Sequence, residues 1–174
     1  MIPNQSGNGP ATIGSEEHNM ETNYLKQAIA EHPFWTGLNP RFFHFLEECA
    51  TLVRLDAGQI VFREREDADH FYLIHKGHVA LETFIPGRGN ISVQSLGAGE
   101  ALGWSWLFPP YRWEFSARAT DPAELIAFGA VGLRERAEEN RDFSHELLSR
   151  TAGILLHRLQ ATRRRLVEFY GPVE

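Results

Sequence analysis

The sequence predicts a mainly β fold with α-helices at both ends. Three observations predict it. Hydrophobic residues recur at helical spacing before Thr51 and again after Val131. Between these two points, short apolar runs alternate with glycine, proline and aspartate, as is typical of an antiparallel sandwich or barrel. The last apolar pattern continues almost to Gly171, which predicts a long C-terminal helix.

The N-terminal part divides into a tail and a helix. Residues 1–22 are rich in glycine, serine, asparagine and proline, and we expect them to form a disordered tail. From Asn23 the pattern becomes helical, with Leu25 and Ile29 on one face, and Pro33 is expected to end the helix.

A second helix is predicted to begin at Asn39-Pro40, because asparagine caps helix starts and proline suits the first helical position. Phe42, Phe43, Leu46 and Cys49 follow at helical spacing. Cys49 is the single cysteine, which excludes an internal disulfide, and in this apolar context we expect a small buried side chain rather than a reactive thiol.

Seven strand-like runs follow, separated by turn residues. They read LVRL, IVF, HFYLI, HVALETF, ISVQSL, FSARA and ELIAF. The turn at Gly77 is expected to join HFYLI and HVALETF as a hairpin, and FSARA and ELIAF are expected to pair through Thr120-Asp121-Pro122.

The C-terminal part, 131–174, reads as a short charged helix and then a long one, distinct from the β-domain with its N-terminal helices at 23–130. Apolar residues form a stripe along the long helix: Phe143, Leu147, Thr151, Ile154, Leu155, Leu159 and Leu166. A helix of this length overhangs a small β-domain, so we expect it to pack against the same helix of a second copy, giving a homodimer. The alternative is that it folds back onto its own barrel.

Composition and charge limit the function classes. The 174 residues suffice for a domain with a substantial core, and the net charge of −6 argues against nucleic-acid binding. No apolar run approaches a membrane span and no secretory signal precedes the helices, so we expect a cytoplasmic protein without a membrane partner. The chain stops soon after the long helix, so direct DNA binding through an appended helix-turn-helix is not expected.

Residues 96–119, called the cassette segment below, combine glycines, aromatic residues, a Pro-Pro pair and a strand-like run. Glycine lets backbone N–H groups approach a small ligand, and a following helical turn directs its N–H groups at an anion. This segment is therefore the candidate ligand-binding site.

The order of elements resembles the cyclic nucleotide-binding domain family, which includes catabolite-activator-type sensor domains. The resemblance covers about residues 25–170 and rests on HPFWTGL, DAGQIVFRE, ADHFYLIHKGHVAL and LGAGEALGWSWLF. It implies an eight-stranded antiparallel β-roll of the jelly-roll (double-stranded β-helix) type. It also implies a non-enzymatic regulatory module with a cyclic nucleotide or another small molecule as its effector, and no further cofactor.

The cassette segment departs from the family pattern at the positions that hold the nucleotide. Trp104 follows Gly103 where the family has a ribose-binding glutamate, and Trp113 stands where the family has its phosphate-binding arginine. Glu114 adds a negative charge, and Arg65 replaces a turn glycine. From the resemblance we therefore expect weak or absent cyclic AMP binding.

Two interpretations of the cassette aromatics remain open: they fill the pocket as core, or they line a pocket for a more apolar or planar ligand. Arg65, Arg112 and Arg118 are the candidate anion partners. The candidate ligand-binding residues are Gly99, Gly103, Trp104, Ser105, Trp106, Arg112, Trp113, Ser116 and Arg118.

Two other function classes are considered. One is an interaction or scaffold protein with an occluded pocket that acts through its dimer helix. The other is a metal-dependent cupin-type enzyme, suggested by His70, His75 and His78 with Glu82 nearby. His75 and His78 flank a predicted turn and need not converge, so we expect surface histidines and no metal site. No hydrolase or phosphate-transfer motif occurs, and no catalytic residue is assigned.

Overall fold

The computed structural model describes residues 13–171. Its helices are α1 (Ile13–Glu31), α2 (Phe43–Cys49), α3 (Ala130–Glu139) and α4 (Arg141–Tyr170), with 3₁₀ turns at Pro33–Trp35 and Pro40–Phe42. Its strands are β1 (Ala50–Leu55), β2 (Ile60–Phe62), β3 (His70–Lys76), β4 (Val79–Ile85), β5 (Gly89–Leu96), β6 (Ala101–Leu102), β7 (Ser116–Ala119) and β8 (Ala123–Gly129).

The eight strands form two four-stranded antiparallel sheets, which confirms the predicted β-roll. One sheet has the order β1-β8-β3-β6 and the other β2-β7-β4-β5. Seven strands correspond to the seven predicted runs. The eighth, β6, lies within the cassette segment and has two residues, which is too short for a period-2 pattern to show.

Two predicted strand pairings are wrong. Strands β3 and β4, expected to form a hairpin at Gly77, lie in opposite sheets, and so do the consecutive strands β7 and β8. Instead β7 pairs with β2 and β4, while β8 pairs with β1 and β3. Turn residues report where the chain reverses but not which strand it meets next, so the sequence did not distinguish a hairpin from a crossing between sheets.

The two crossings pack against each other, and Gly77 makes this contact possible. Its φ is +79°, and a Cβ atom built there would lie 2.5 Å from the carbonyl oxygen of Pro122 and 2.8 Å from the Cα of Ala123. A residue with a side chain would therefore be both strained and in collision with backbone.

The first helix begins earlier than expected. Residues 13–22, assigned above to the disordered tail, belong to α1, and residues 1–12 of that tail lie outside the described residues. The side chains of residues 16–20 are exposed, and an ion pair of 2.8 Å between Glu21 and Arg54 links this part of the helix to β1. The helix ends at Glu31, before Pro33, as predicted.

Helical structure begins at Pro40 as predicted, but as a 3₁₀ turn that leads into α2 at Phe43; the Asn39 side chain caps this turn by accepting the N–H of Arg41 at 3.1 Å. Cys49 ends α2, where its thiol donates to the carbonyl of Phe45. Burial raises the pKa of the Cys49 thiol to about 11, so it stays protonated near neutral pH and is a poor nucleophile.

The long helix α4 presents two apolar faces rather than the single predicted stripe. Asn140 caps its start by accepting the N–H groups of Asp142 and Phe143. Phe143, Leu147 and Thr151 are buried against the rest of the chain. A second face carries residues spaced alternately four and three apart: Leu148, Ala152, Leu155, Leu159, Thr162, Leu166 and Phe169. No helix in the described part is long and apolar enough to span a membrane.

The His32 side chain connects the residues after α1 to β3 by two hydrogen bonds, and these bonds require one protonation state of the ring. Its Nε2–H donates to the carbonyl of Ile74 at 3.0 Å, and its Nδ1 accepts the N–H of Phe34 at 3.2 Å. The imidazole must therefore be neutral. Burial, and secondarily the nearby His75, lowers the pKa of His32, while the hydrogen bond to Ile74 opposes this shift.

The crossing geometry gives the first prediction. Gly77→Ala should lower the free energy of unfolding by more than about 3 kcal/mol, because left-handed strain and a backbone collision add. Gly87→Ala is the matched control: its φ is +80°, but no atom lies within 4 Å of the added Cβ. This control should lose only about 1–2 kcal/mol. If chemical denaturation shows the same loss of unfolding free energy for both variants, the contact between the two crossings at Gly77 does not contribute to stability.

A second prediction concerns pH. Since the folded-state pKa of His32 lies below its unfolded value, the stability it contributes is present above the unfolded pKa of about 6.5 and is lost as pH falls toward the folded pKa. His32→Asn retains a cap for Phe34 but loses the bond to Ile74, so it should cost about 1 kcal/mol at neutral pH. Denaturation at several pH values should show this cost shrinking in acid, and a pH-independent cost would contradict the assignment.

Candidate ligand-binding cavity

The cassette segment runs from the end of β5 to β7 and is held by backbone hydrogen bonds at both ends. At its start the Gly99 N–H, at a φ of +88°, donates to the carbonyl of Ile74 at 2.8 Å. At its end Trp113 exchanges bonds with the loop after β2: it donates to Glu66 at 3.0 Å and accepts from Arg65 at 2.8 Å. These two bonds fix the main chain at Trp113, from which the side chain extends.

The Trp113 ring fills the interior of the roll beneath the cassette. It is 3% exposed and stacks on Phe62, with ring centroids 3.7 Å apart and planes 9° apart. Gly103 has a φ of +69°, and a Cβ atom there would lie 2.9 Å from the Trp113 ring. The glycine that resembles the family motif is thus needed here because an indole ring lies against it.

A small cavity remains beside this ring. Its lining residues are Phe62, Leu81, Gly103, Trp104, Ser105, Trp113, Glu114, Phe115 and Arg158. Its volume is about 20 Å³, which is room for about one water molecule. In this conformation the cavity is too small for a nucleotide.

Arg158 of α4 closes the cavity, and sequence reasoning missed it. The residue is 8% exposed, its Nη2 donates to the carbonyl of Ala101 at 2.6 Å, and its guanidinium lies 5.4 Å from the centre of the Trp104 ring. Burial lowers the pKa of Arg158, and the charge of Glu100 partly opposes this. The sequence did carry a signal: Arg158 lies four residues after Ile154, where the buried stripe calls for an apolar residue.

An outer cavity of about 180 Å³ lies on the other side of Arg158. It is lined by Phe34, Gly99, Glu100, Ala101, Ile154, His157 and Arg158. Arg158 is the one residue common to the linings of the two cavities, so it borders both of them.

The structure brings together only part of the predicted site. Gly103, Trp104, Ser105 and Trp113 line the inner cavity, and Gly99 lines the outer one. Trp106 is fully buried and packs on Phe71 with ring centroids 5.0 Å apart, so it belongs to the core and does not line the cavity.

The remaining predicted residues lie away from the cavity. Ser116 and Arg118 alternate along β7 with the buried Ala117 and Ala119, so they point to the outer face of the sheet. There Ser116 accepts the Glu64 N–H at 3.0 Å, and Arg118 pairs with Glu82 at 3.2 Å and bonds to the Gly58 carbonyl.

Of the other two candidate arginines, Arg65 lies on the loop between β2 and β3, and Arg112 lies on the surface of the cassette segment. Arg112 donates to the carbonyl of Arg65 at 2.9 Å and contacts Asp67 at 3.4 Å, while Arg65 is itself exposed. None of the three proposed anion partners faces the cavity, because strand alternation and loop direction turn them outward.

The histidines do not converge. His70 pairs with Asp69 and His78 with Asp121, at 2.8 and 2.7 Å, while the His75 ring packs edge-on against Tyr24. Within residues 13–171 no group of three or more histidine, cysteine or carboxylate side chains is arranged to hold a metal ion.

Comparison with known proteins places the chain in a family. The family model described as "Cyclic nucleotide-binding domain" matches residues 52–140, just over half of the chain. The chain therefore belongs to the cyclic nucleotide-binding domain family, as its motifs predicted. A search of curated proteins found no match.

Solved structures share the fold. A protein from Geobacter metallireducens GS-15, assigned as a cyclic nucleotide-binding protein, is 27% identical with a TM-score of 0.67; 79% of this chain and 97% of that one are covered. A cyclic nucleotide-binding domain from Methylobacillus flagellatus KT is 17% identical with a TM-score of 0.73, covering 88% and 87%. The catabolite activator protein of Thermus thermophilus is 23% identical with a TM-score of 0.61, covering 79% and 63%.

The packing of Trp113 gives a third prediction. Trp113→Ala should cost about 3–5 kcal/mol of unfolding free energy, because a fully packed indole is replaced by a void. Trp104→Ala, at the partly exposed position on the same cavity, should cost about 1–2 kcal/mol. Urea denaturation measures both. If Trp113→Ala loses no more unfolding free energy than Trp104→Ala, Trp113 does not organise the cassette.

Proposed function

We propose that this chain is a non-enzymatic, ligand-sensing regulatory module whose cassette has been remodelled so that cyclic AMP binds weakly or not at all. One observation carries the proposal: the Trp113 ring occupies the interior beneath the cassette and leaves about 20 Å³. Trp113 is also the residue that stands in place of the family's phosphate-binding arginine.

The replaced residues account for the expected loss of affinity. A charge-assisted hydrogen bond to a buried phosphate contributes about 1.5–3 kcal/mol, so each lost contact weakens binding about tenfold or more. Trp104 supplies no carboxylate for a ribose hydroxyl. The exposed Glu114 at the cavity adds a charge that repels phosphate.

The second apolar face of α4 supports a homodimer. Leu159, Leu166 and Phe169 on this face are 67%, 52% and 84% exposed. The spacing of four and three residues is the heptad pattern by which two helices pack along a shared seam. Burying these side chains against the same helix of a second copy removes them from water, and it places both cavities next to the dimer interface.

A second candidate is an interaction protein whose pocket stays closed and which acts only through α4. The small cavity favours it, because a fully packed interior needs no ligand. Thermal-shift screening of cyclic mono- and dinucleotides and small metabolites separates the two candidates, since a ligand of the native state raises the melting temperature. The sensor requires at least one such shift, and the interaction protein requires none.

A fourth prediction tests the remodelled cassette. Isothermal titration calorimetry of the full chain with cyclic AMP should give no saturable heat at micromolar concentrations, because both the acidic and the basic contacts are replaced. Intact folding is verified by a thermal unfolding transition in the same buffer. Micromolar or tighter affinity would overturn the proposed remodelling.

A fifth prediction tests the dimer. The double variant Leu159→Glu/Leu166→Glu should weaken dimerisation by about tenfold or more, because it puts like charges along the apolar seam. Gln160→Glu, an exposed neighbour on the same helix, is the matched control and should leave it unchanged. Light scattering across a concentration series measures this. A wild-type monomer at every concentration, or equal behaviour of all three proteins, would contradict the homodimer.

A further inference from the structure

Arg158 is a buried cation with most of its hydrogen-bonding capacity unused. A guanidinium carries five N–H donors, and in the described part of the chain Arg158 forms one hydrogen bond, to the Ala101 carbonyl, and no ion pair. A buried charge is stable only when it is paired or well hydrogen-bonded, so this arrangement is poorly compensated. The free donors adjoin two cavities, where an anion could reach them.

We propose that Arg158 binds the anionic group of the effector, and that the effector is a small aromatic acid with one or two rings. This inference rests on the proposed sensing function and deepens it. The positive charge that the family takes from its cassette would here come from the long helix.

The lining of the inner cavity argues for an aromatic ligand. Rings of Phe62, Trp104, Trp113 and Phe115 surround it, and flat rings stack favourably on such surfaces. The position of Arg158 over the Trp104 ring would hold a carboxylate at the edge of a ligand stacked on these rings.

The sizes of the cavities argue for a small ligand. Reorienting Arg158 away from Ala101 would join the inner space of about 20 Å³ with the outer space of about 180 Å³. Each of the two spaces is smaller than the roughly 300–1,000 Å³ typical of pockets for larger ligands, so a ligand that enters by displacing one side chain must itself be small. The carboxylates of Glu100 and Glu114 border the two spaces and disfavour a ligand with more than one negative charge.

The location of Arg158 would also connect the ligand to the dimer. A ligand that draws the guanidinium from Ala101 changes a contact between the cassette and α4, and Leu159 of the proposed dimer seam is the next residue along that helix. Ligand binding would therefore shift the equilibrium between two positions of α4. This requires that the ligand bind one of the two positions more tightly than the other.

The test uses the full chain and a matched pair of probes. Indole-3-carboxylate carries the ring and the negative charge, and indole-3-carboxamide carries the same ring without the charge. Arg158→Met removes the guanidinium but keeps an unbranched apolar side chain, whereas Arg164→Met removes an exposed arginine from the same helix. Melting temperatures and calorimetric affinities are measured for the three proteins at millimolar probe concentrations.

The carboxylate should raise the melting temperature of the wild type and of Arg164→Met, and Arg158→Met should bind it at least tenfold more weakly. The carboxamide should bind all three proteins weakly and equally. Without any probe, Arg158→Met should melt no lower than the wild type, which shows that the variant folds.

The other outcomes overturn the inference in distinguishable ways. Equal carboxylate binding by the wild type and Arg158→Met would remove Arg158 from the site while leaving the sensing function intact. Equal binding of carboxylate and carboxamide to the wild type would show that charge is not recognised. No binding of the carboxylate to the wild type would exclude the small aromatic acid class. Tight binding of cyclic AMP by both the wild type and Arg158→Met would overturn the remodelled cassette together with the role of Arg158.

Discussion

The stacked pair of Trp113 and Phe62 is the contact on which the cassette depends. Trp113 is anchored by backbone bonds to the loop after β2, and its ring lies flat on a residue of β2. Because this ring lies against the backbone of Gly103, which has a φ of +69°, a side chain at that position would collide with it. The remaining cavity, its aromatic lining and its small volume follow from where this one indole lies.

The rest of the structure also depends on the long helix α4, whose sides make different contacts. One side packs on the core through Phe143 and Leu147, and another exposes a heptad series of apolar residues. Arg158 lies between them and faces the cassette. In the proposed sensor, a helix that borders the cavity and also carries an exposed apolar face is well placed to transmit binding, since a rigid helix moves as a unit.

Much of the fold was predictable from local patterns. Seven of the strands, the cap at Asn39 and the end of α1 before Pro33 follow from spacing and from residues with strong conformational preferences. The pairing of strands was not predictable, because Gly77 and Pro122 mark turns without specifying which sheet the chain enters next. The N-terminal limit of α1 was also missed, since the glycine, serine and asparagine around it read as a tail.

The sequence by itself determined the family and, through the family resemblance, the β-roll, because the motifs are residue identities along one stretch of chain. It also predicts that the family's acidic and basic nucleotide contacts are replaced in the cassette segment. Only the tertiary structure decided which side chains meet in the cavity. Arg65, Arg112 and Arg118 are close to the cassette in sequence but face outward, whereas Arg158 is distant in sequence and faces inward. The side of the fold to which each side chain points is set by the alternation of residues along a strand and by the packing of helices that are distant in sequence. Neither can be read from the residue spacing of a single segment.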